Sequence, residues 1–194
     1  EERLNGVRLI RFTIDASLHG YCFSKALAKA LQSEKCDIIH AHGWGNYFID
    51  IAYRTSKKRK IPFVITPHAH EFYVLSGKKV STNLAQRIKI VKEVAREMGT
   101  IILLKGHVDI ISDGIKVFVN RTGTPCMTKG GLGDVLAGIC GALIARGVEP
   151  LVAAQAAAFI NGKAGELATN VYGEGLMASD VIDFIPKVIQ MYSK

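Results

Sequence analysis

Residues 122–138 read TGTPCMTKGGLGDVLAG, a polar and turn-rich segment that changes abruptly into an apolar helical pattern. Gly130, Gly131 and Gly133 allow the backbone of this segment to approach a ligand closely. The first amides of the helix predicted over 133–146 point at the turn, and the helix dipole favours anions there. The segment therefore predicts a phosphate-binding turn at the start of a helix.

Asp134 lies in the first turn of that predicted helix, where its carboxylate would stand beside a bound phosphate. Such a position suits a group that removes a proton from a phosphoryl acceptor. The glycines are not followed by Lys-Ser/Thr and no strand leads directly into them, which argues against a Walker A motif and a dinucleotide fingerprint. An aspartate that only caps the helix is the alternative interpretation.

Apolar runs alternate with helical patterns on both sides of this segment. Strands are predicted over 7–12, 36–41, 61–66 and 100–105, and over 108–112 and 115–120, which flank the hairpin signal Asp113-Gly114. Helices are predicted over 17–31, 46–60, 82–98, 133–146, 150–172 and 179–192. This alternation predicts one α/β domain over residues 1–194, with a three-layer, mostly parallel sheet flanked by helices. Ligands are expected beyond the carboxyl ends of the strands.

The composition is that of a globular protein, with 194 residues, 48% hydrophobic side chains and a formal charge of +8. The positive charge favours anionic ligands such as nucleotides. Neither a recognition motif nor interleaved aromatic and basic residues accompany it, so nucleic acid is not the expected partner. The four cysteines show no C-x-x-C spacing and no apolar run is long enough to span a membrane, so a cytoplasmic protein with reduced thiols is expected.

Five short pieces occur in a family-like order and spacing: Thr66-Pro67-His68 with Glu71-Phe72, Leu104-Lys105-Gly106, residues 122–125, residues 130–138 and residues 177–180. Through these pieces, Thr66 to the C-terminus resembles the nucleotide-binding half of the ADP/ATP-dependent NAD(P)H-hydrate dehydratases, which have the ribokinase-like fold. A lone glycine run would be weak evidence, whereas five ordered pieces are specific. The resemblance implies an adenine nucleotide, ADP or ATP, as cofactor, with Mg²⁺ as its possible companion.

The resemblance also implies roles for single residues. The nucleotide would contact Lys105, Gly106, His107, Val108, Asp109 and Gly133, and the hydrate of NAD(P)H would contact His68 and Asp134. The family reaction is thought to phosphorylate the hydrate hydroxyl, after which phosphate elimination restores the dihydronicotinamide ring, and Asp134 is the candidate catalytic base. The chain departs from the family pattern at Ala69-His70, where many members have Pro-Gly, and at Asp109, where threonine is common.

The first third of the chain lacks two features of that family, a glycine-rich segment that holds the hydrate and a strand with an aspartate shortly before Thr-Pro-His. Residues 1–68 resemble instead part of the N-terminal domain of GT-B glycosyltransferases, through 7–12, 17–20, 37–44 and 61–68. The second domain of such a transferase is missing, so transferase activity is not expected. The two resemblances meet at Phe63–Phe72, which suggests an engineered, Rossmann-like and ribokinase-like hybrid with segments 1–67 and 68–194.

Three functions are consistent with these patterns. The first is a chimera that binds adenine nucleotide without efficient catalysis, and the second is an active nucleotide-dependent NAD(P)H-hydrate dehydratase. The third is a structural or self-associating protein with an empty site, in which a homodimer could cover apolar surface left by the junction. Titration with ADP separates the third function from the other two.

Two histidine pairs, His40-Ala-His42 and His68-Ala-His70, follow strands that are predicted to be neighbours. Four imidazoles could converge there on zinc or nickel, because residues i and i+2 of a strand share a face. The favoured interpretation is that each pair lines a crevice, so no metal is assigned. Trp44 either stacks on a sugar or base or packs half-exposed. The basic run 57–60 is either a nucleic-acid or localisation patch or, as the favoured interpretation, a group of cations at the negative end of a helix.

Overall fold

The computed structural model describes residues 2–19, 21–41 and 47–193. They fall into two compact units, Glu1–Pro62 and Phe63–Lys194. The first unit holds two short hairpins and two helices, and the second holds a sheet with helices on both faces. The α/β class that was predicted from the alternation of strands and helices is confirmed.

The first unit begins with two antiparallel hairpins, which pair β1 (Glu2–Leu4) with β2 (Val7–Leu9) and β3 (Ala16–Leu18) with β4 (Tyr21–Phe23). The helices α1 (Lys25–Ser33) and α2 (Tyr47–Arg59) follow. Arg59, in the last turn of α2, donates to the carbonyls of Leu31, Glu34 and Cys36. In the basic run 57–60, at least Arg59 therefore stabilises the fold, by binding the segment that follows α1.

Some predictions for this unit are wrong. The helix predicted over 17–31 begins only at Lys25, because the preceding residues form the β3–β4 hairpin. The strand predicted over 36–41 is absent, since no described strand of this unit lies alongside it and an apolar run becomes a strand only where its backbone groups are paired. The strand predicted over 7–12 shortens to β2, and the helix predicted over 46–60 is confirmed as α2. His42, Trp44 and Asn46 lie outside the described residues.

The sheet of the second unit has the order β5 (Val64–Ile65), β6 (Ile101–Leu104), β7 (Asp109–Ser112) and β8 (Val117–Asn120). The β5–β6 pair is parallel, and the other two pairs are antiparallel. The sheet is thus mixed rather than mostly parallel, because β6 and β7 are joined by a turn too short for a parallel crossover. The predicted Asp113-Gly114 hairpin is confirmed, with Ser112 opposite Val117.

Helices cover both faces of this sheet and make three layers. The helices α3 (Ala69–Ser76) and α4 (Leu84–Met98) pack on the face that carries Ile102, Leu104 and Ile110. The helices α5 (Leu132–Ala145) and α6 (Pro150–Tyr172) pack on the face that carries Leu103 and Ile111. Successive residues of a strand point to opposite faces of the sheet, so the short apolar strand β6 contributes side chains to the core on each face.

The last helix, α7 (Ala178–Tyr192), packs against α5 and α6 through Val181 and Val188. The four helices predicted from 82 onward are confirmed with ends that shift by about two residues or fewer. Within the described ranges, no helix has the length and apolar character needed to cross a membrane.

Candidate functional site

The glycine-rich segment forms the start of α5. Gly131 precedes the helix with a φ of +89°, and a β-carbon on it would lie 2.9 Å from the β-carbon of Ala178. Glycine is required there by conformation and by packing. Because Gly131 has no side-chain acceptor, it cannot cap the amides of Leu132 and Gly133, which have no carbonyl of a preceding turn to bond. The amino end of α5 is therefore arranged to receive an acceptor from a ligand.

Lys105 follows β6 directly and reaches this turn from the sheet. Its Nζ lies 3.0 Å from the position that a β-carbon on Gly133 would take. A cation beside the amino end of a helix is unfavourable, since the dipole is positive there. Together the ammonium group and the helix end attract an anion more strongly than either does alone. Two segments that the sequence assigned separately to the nucleotide thus meet at one point.

His68 stands at the start of α3 and is held by Glu71. The amide of Glu71 donates to Nδ1 of His68 at 3.1 Å, and the amide of His68 donates to Oε2 of Glu71 at 2.7 Å. Because Nδ1 accepts, the neutral imidazole carries its proton on Nε2, which becomes the donor available to a ligand. The same Oε2 lies 3.8 Å from Nζ of Lys105. His68, Glu71 and Lys105 therefore form one connected group at the glycine turn.

The loop from Lys105 to Asp109 joins β6 to β7 and is fixed from several sides. The amide of Lys105 donates to the carbonyl of Pro67 at 2.8 Å, and its carbonyl accepts from Arg87 at 3.2 Å. The amide of Gly106 donates to Oδ1 of Asp109 at 3.0 Å. His107 is exposed and Val108 half-buried in the bend between them.

Asp109 is held at the base of this loop, where Asn120 donates to its second oxygen at 2.9 Å. Burial raises the pKa of Asp109 above its usual range, and the bonds from Asn120 and Gly106 and the charges of Arg87 and Lys105 offset only part of that effect. Burial also lowers the pKa of Arg87, while Asp109 opposes this change. Asp109 in the loop and Arg87 on α4 are thus partly buried groups of opposite charge, and the charge of each favours the ionised form of the other.

The segment that leads from β8 to the glycine turn is anchored on α6. The amide of Gly123 donates to Oε1 of Glu166 at 2.9 Å, and Nζ of Lys163 donates to Oε2 at 2.7 Å. Burial is the largest influence on Glu166 and raises its pKa, but the bonds from Lys163 and Gly123 and the charge of Lys163 outweigh it, so its pKa is lowered. The bond from Gly123 to Glu166 thus holds the segment before the glycine turn against α6, and Lys163 pairs with the charge of Glu166.

The remaining sequence-predicted residues lie in the glycine turn and at the start of α5. Asp134 is exposed in the first turn of α5, next to Gly133, and its amide donates to the carbonyl of Gly131 at 3.1 Å. Gly130 is exposed, and a β-carbon on it would meet nothing within 4 Å, so packing does not require glycine there. Sequence reasoning missed Arg87, Asn120 and Glu166, because no motif marks them and only the fold brings them to the site.

The histidine pairs do not form a described metal centre. The rings of His68 and His70 have centroids 6.3 Å apart. His40 belongs to the first unit, and His42 is among the residues that the structure does not describe. In the described part of the chain, no three histidine, cysteine, aspartate or glutamate residues are grouped so as to hold a metal ion.

Comparison with known proteins identifies the family of the chain. The sequence profile of the NAD(P)H-hydrate dehydratase family matches residues 22–187. The chain belongs to the NAD(P)H-hydrate dehydratase family. A bifunctional NAD(P)H-hydrate repair enzyme Nnr from Pyrobaculum aerophilum is 49% identical over 130 residues, which make up 67% of this chain and 26% of that protein.

Two further relatives extend the comparison. The enzyme of the same description from Hyperthermus butylicus is 40% identical over 171 residues, covering 84% of this chain and 30% of its own length. The ADP/ATP-dependent NAD(P)H-hydrate dehydratase from Bacillus subtilis, co-crystallised with ATP/Mg²⁺, is 30% identical with a TM-score of 0.63, covering 68% of this chain and 48% of its own. The chain therefore spans less than half the length of these relatives.

The family match changes the interpretation of the first third of the chain. The profile match begins at residue 22. The match to the Hyperthermus butylicus enzyme covers 84% of the chain, which is more than residues 66–194 contain. Most of the segment that resembled a glycosyltransferase therefore lies inside the family match. The comparisons support the dehydratase family and do not show a glycosyltransferase part or an engineered chimera.

Proposed function

We propose that this chain is an active part of an ADP/ATP-dependent NAD(P)H-hydrate dehydratase. The observation that carries the proposal is the convergence of the Lys105 ammonium group with Gly133 at the amino end of α5. The family match favours this active enzyme over a chimera without catalysis, which the sequence alone suggested first.

The nucleotide is proposed to bind with its phosphates at the meeting point of Lys105 and α5. An ammonium group and unbonded helix amides are donors suited to phosphate oxygens. Because Gly133 has no side chain of its own, the ammonium group of Lys105 can stand close to the backbone at the start of α5. Gly106, His107, Val108 and Asp109 are proposed to contact the rest of the nucleotide. Mg²⁺ would enter with the nucleotide, because it is commonly held through phosphates and retained waters.

His68 and Asp134 are proposed to bind the hydrate. His68 offers an Nε2–H donor, since its Nδ1 already accepts from the amide of Glu71. Asp134 is exposed beside the phosphate-binding turn and can accept the hydroxyl proton as that oxygen bonds to the transferred phosphorus. The bond from phosphorus to the nucleotide breaks in the same transfer. Phosphate then leaves the ring carbon as the ring loses a proton, which forms the double bond of the dihydronicotinamide.

Calorimetry and turnover on the same preparations test this function. The purified chain is titrated with ADP and ATP, and recovery of dihydronicotinamide absorbance from hydrated NADH is followed with and without nucleotide. Asp134→Asn keeps the size of the side chain and removes its basicity, so we expect ADP binding to persist and nucleotide-dependent turnover to be lost. The proposal fails if the unmodified chain binds no nucleotide at millimolar concentration, or if turnover is the same in Asp134→Asn.

A further inference from the structure

Arg87, on α4, has no role in the proposed reaction, yet its guanidinium lies against the loop assigned to the nucleotide. A β-carbon on Gly106 would overlap Nη2 of Arg87 and would lie 3.1 Å from its Cζ. The same Nη2 donates to the carbonyl of Lys105 at 3.2 Å. The guanidinium therefore occupies the place of a side chain at Gly106, and it holds the residue just before it.

Asp109 closes the other end of the same loop. Its Oδ1 accepts from the amide of Gly106 at 3.0 Å, and its Oδ2 accepts from Asn120 at 2.9 Å. Asn120 also donates to the carbonyl of Ala158 in α6 at 3.3 Å. The loop is thus tied to α4 on one side of the sheet and, through Asn120, to α6 on the other.

We propose that Arg87 is a positioning residue that holds the Lys105–Asp109 loop, closed at its other end by Asp109, in its nucleotide-binding conformation. The proposal rests on the proposed function, since that function assigns the loop to the nucleotide. Because Pro67 holds the amide of Lys105 and Arg87 holds its carbonyl, the lysine side chain leaves the backbone in a fixed direction, toward Gly133. Arg87 acts through this backbone and need not touch the nucleotide.

A conservative substitution separates positioning from simple attraction of phosphate. Arg87→Lys keeps the positive charge but loses the planar fork that both fills the space beside Gly106 and donates to Lys105. If Arg87 acted only through its charge, lysine would restore ADP affinity. We expect it not to, and we expect ADP affinity to fall about tenfold, as for the loss of one hydrogen bond from a charged donor.

Arg96 provides a matched control on the same helix. Its Nε donates to the carbonyl of Gly114 at 3.2 Å in the β7–β8 turn, which lies at the opposite end of β7 from the nucleotide loop. Arg96→Lys removes a comparable bond between α4 and a turn. We expect it to lower stability about as much as Arg87→Lys and to leave ADP affinity unchanged.

Gly106 provides an independent test of the same packing. Gly106→Ala places a methyl group where Arg87 now lies, so we expect ADP affinity to fall in this variant as well. In the background of Arg87→Ala that space is open, and adding Gly106→Ala should cause little further loss. Additive losses in the double variant would contradict the packing relationship.

Amide hydrogen exchange of the chain without nucleotide gives a readout that does not depend on binding. We expect residues 104–110 to exchange about tenfold faster in Arg87→Lys and at the unmodified rate in Arg96→Lys. Calorimetry with ADP on both variants and the unmodified chain completes the experiment. Unchanged exchange in Arg87→Lys, or an equal loss of ADP affinity in Arg96→Lys, overturns the positioning role. A complete lack of ADP binding by the unmodified chain overturns the proposed function instead.

Discussion

The ammonium nitrogen of Lys105 lies 3.0 Å from the position that a β-carbon on Gly133 would take. A real β-carbon would require the lysine to shift by a few tenths of an ångström, so the absence of a side chain at Gly133 allows this close approach. The lysine comes from the end of a β-strand and the glycine from the first turn of a helix that follows much later in the chain. Their contact brings a fixed positive charge to the end of a helix dipole.

Gly133→Ala tests whether this contact matters for nucleotide binding. The added methyl group would push Nζ of Lys105 from its place, and we expect ADP to bind about tenfold more weakly, measured by calorimetry. Gly138→Ala is a control in the same helix, because a β-carbon there would meet nothing within 4 Å. We expect Gly138→Ala to keep ADP affinity and to stabilise α5 by about 0.5–1 kcal/mol. Equal ADP affinity in the two variants would count against the phosphate site.

Glu71→Gln tests the balance of charge at Lys105. Glutamine can still accept from the amide of His68, so the start of α3 should keep its geometry. The carboxylate charge that lies 3.8 Å from Nζ of Lys105 would be removed. We therefore expect ADP to bind severalfold more tightly at low salt, with the gain shrinking as salt is added. Weaker ADP binding in Glu71→Gln would show that the carboxylate holds the lysine in place rather than competing with phosphate.

The order of helices and strands in the second unit could be predicted because its apolar patterns are long and its turns carry glycine. Residues 150–172 show this, since the helix has the predicted ends. The absence of a strand over 36–41 could not be predicted, because the apolar pattern of these residues does not show whether a neighbouring strand exists to pair with them. The antiparallel β6–β7 pair, by contrast, follows from the short connection over residues 105–108, because a parallel crossover needs a dozen or more residues.

The site was predicted only where a motif marks its residues. Lys105, His68 and Gly133 belong to recognisable pieces, and the structure links Lys105 to Gly133 directly and to His68 through Glu71. Arg87 belongs to a polar stretch of α4 that looks like any solvated helix face. Its importance depends on a packing relationship with Gly106, which only the folded chain makes visible.

The Lys163–Glu166 pair is expected to make stability depend on pH. The pKa of Glu166 is lowered in the folded chain, since its bonds to Lys163 and Gly123 outweigh the effect of burial. A lowered carboxyl pKa stabilises the fold at pH values above the unfolded value of about 4.3, and this contribution is lost as the pH falls through the folded pKa. Glu166→Gln should therefore lower the free energy of unfolding at neutral pH by at most about 1 kcal/mol, because the pair is partly exposed.

Urea unfolding at neutral pH and near pH 3 measures this contribution. We expect the difference between the unmodified chain and Glu166→Gln to shrink toward the lower pH, as the pH falls through the folded pKa of Glu166 and its carboxyl becomes protonated. Glu149→Gln is a suitable control, because Glu149 also accepts from a backbone amide, that of Val152 at 3.0 Å, at the start of the same helix. A difference for Glu166→Gln that is the same at both pH values would contradict the ion-pair origin.

Cys140 is expected to be the least reactive of the four cysteines in the folded chain. It lies in the core between α5 and the sheet, and burial raises the pKa of its thiol to about 11. Alkylation requires the thiolate, which is scarce at neutral pH when the pKa is raised, and it also requires access. Cys22, Cys36 and Cys126 are half-buried and should be labelled first by iodoacetamide in the native protein.

Mass spectrometry of peptides after timed labelling gives the rate for each cysteine. In urea, where the core is open, we expect Cys140 to react at the same rate as the other three. The Cys140→Ala variant, which leaves a small cavity in the core, should unfold more readily than Cys126→Ala, and the labelling of its remaining thiols should not change. Labelling of Cys140 in the native chain as fast as Cys126 would show that α5 opens from the sheet, and with it the helix end that is proposed to bind phosphate.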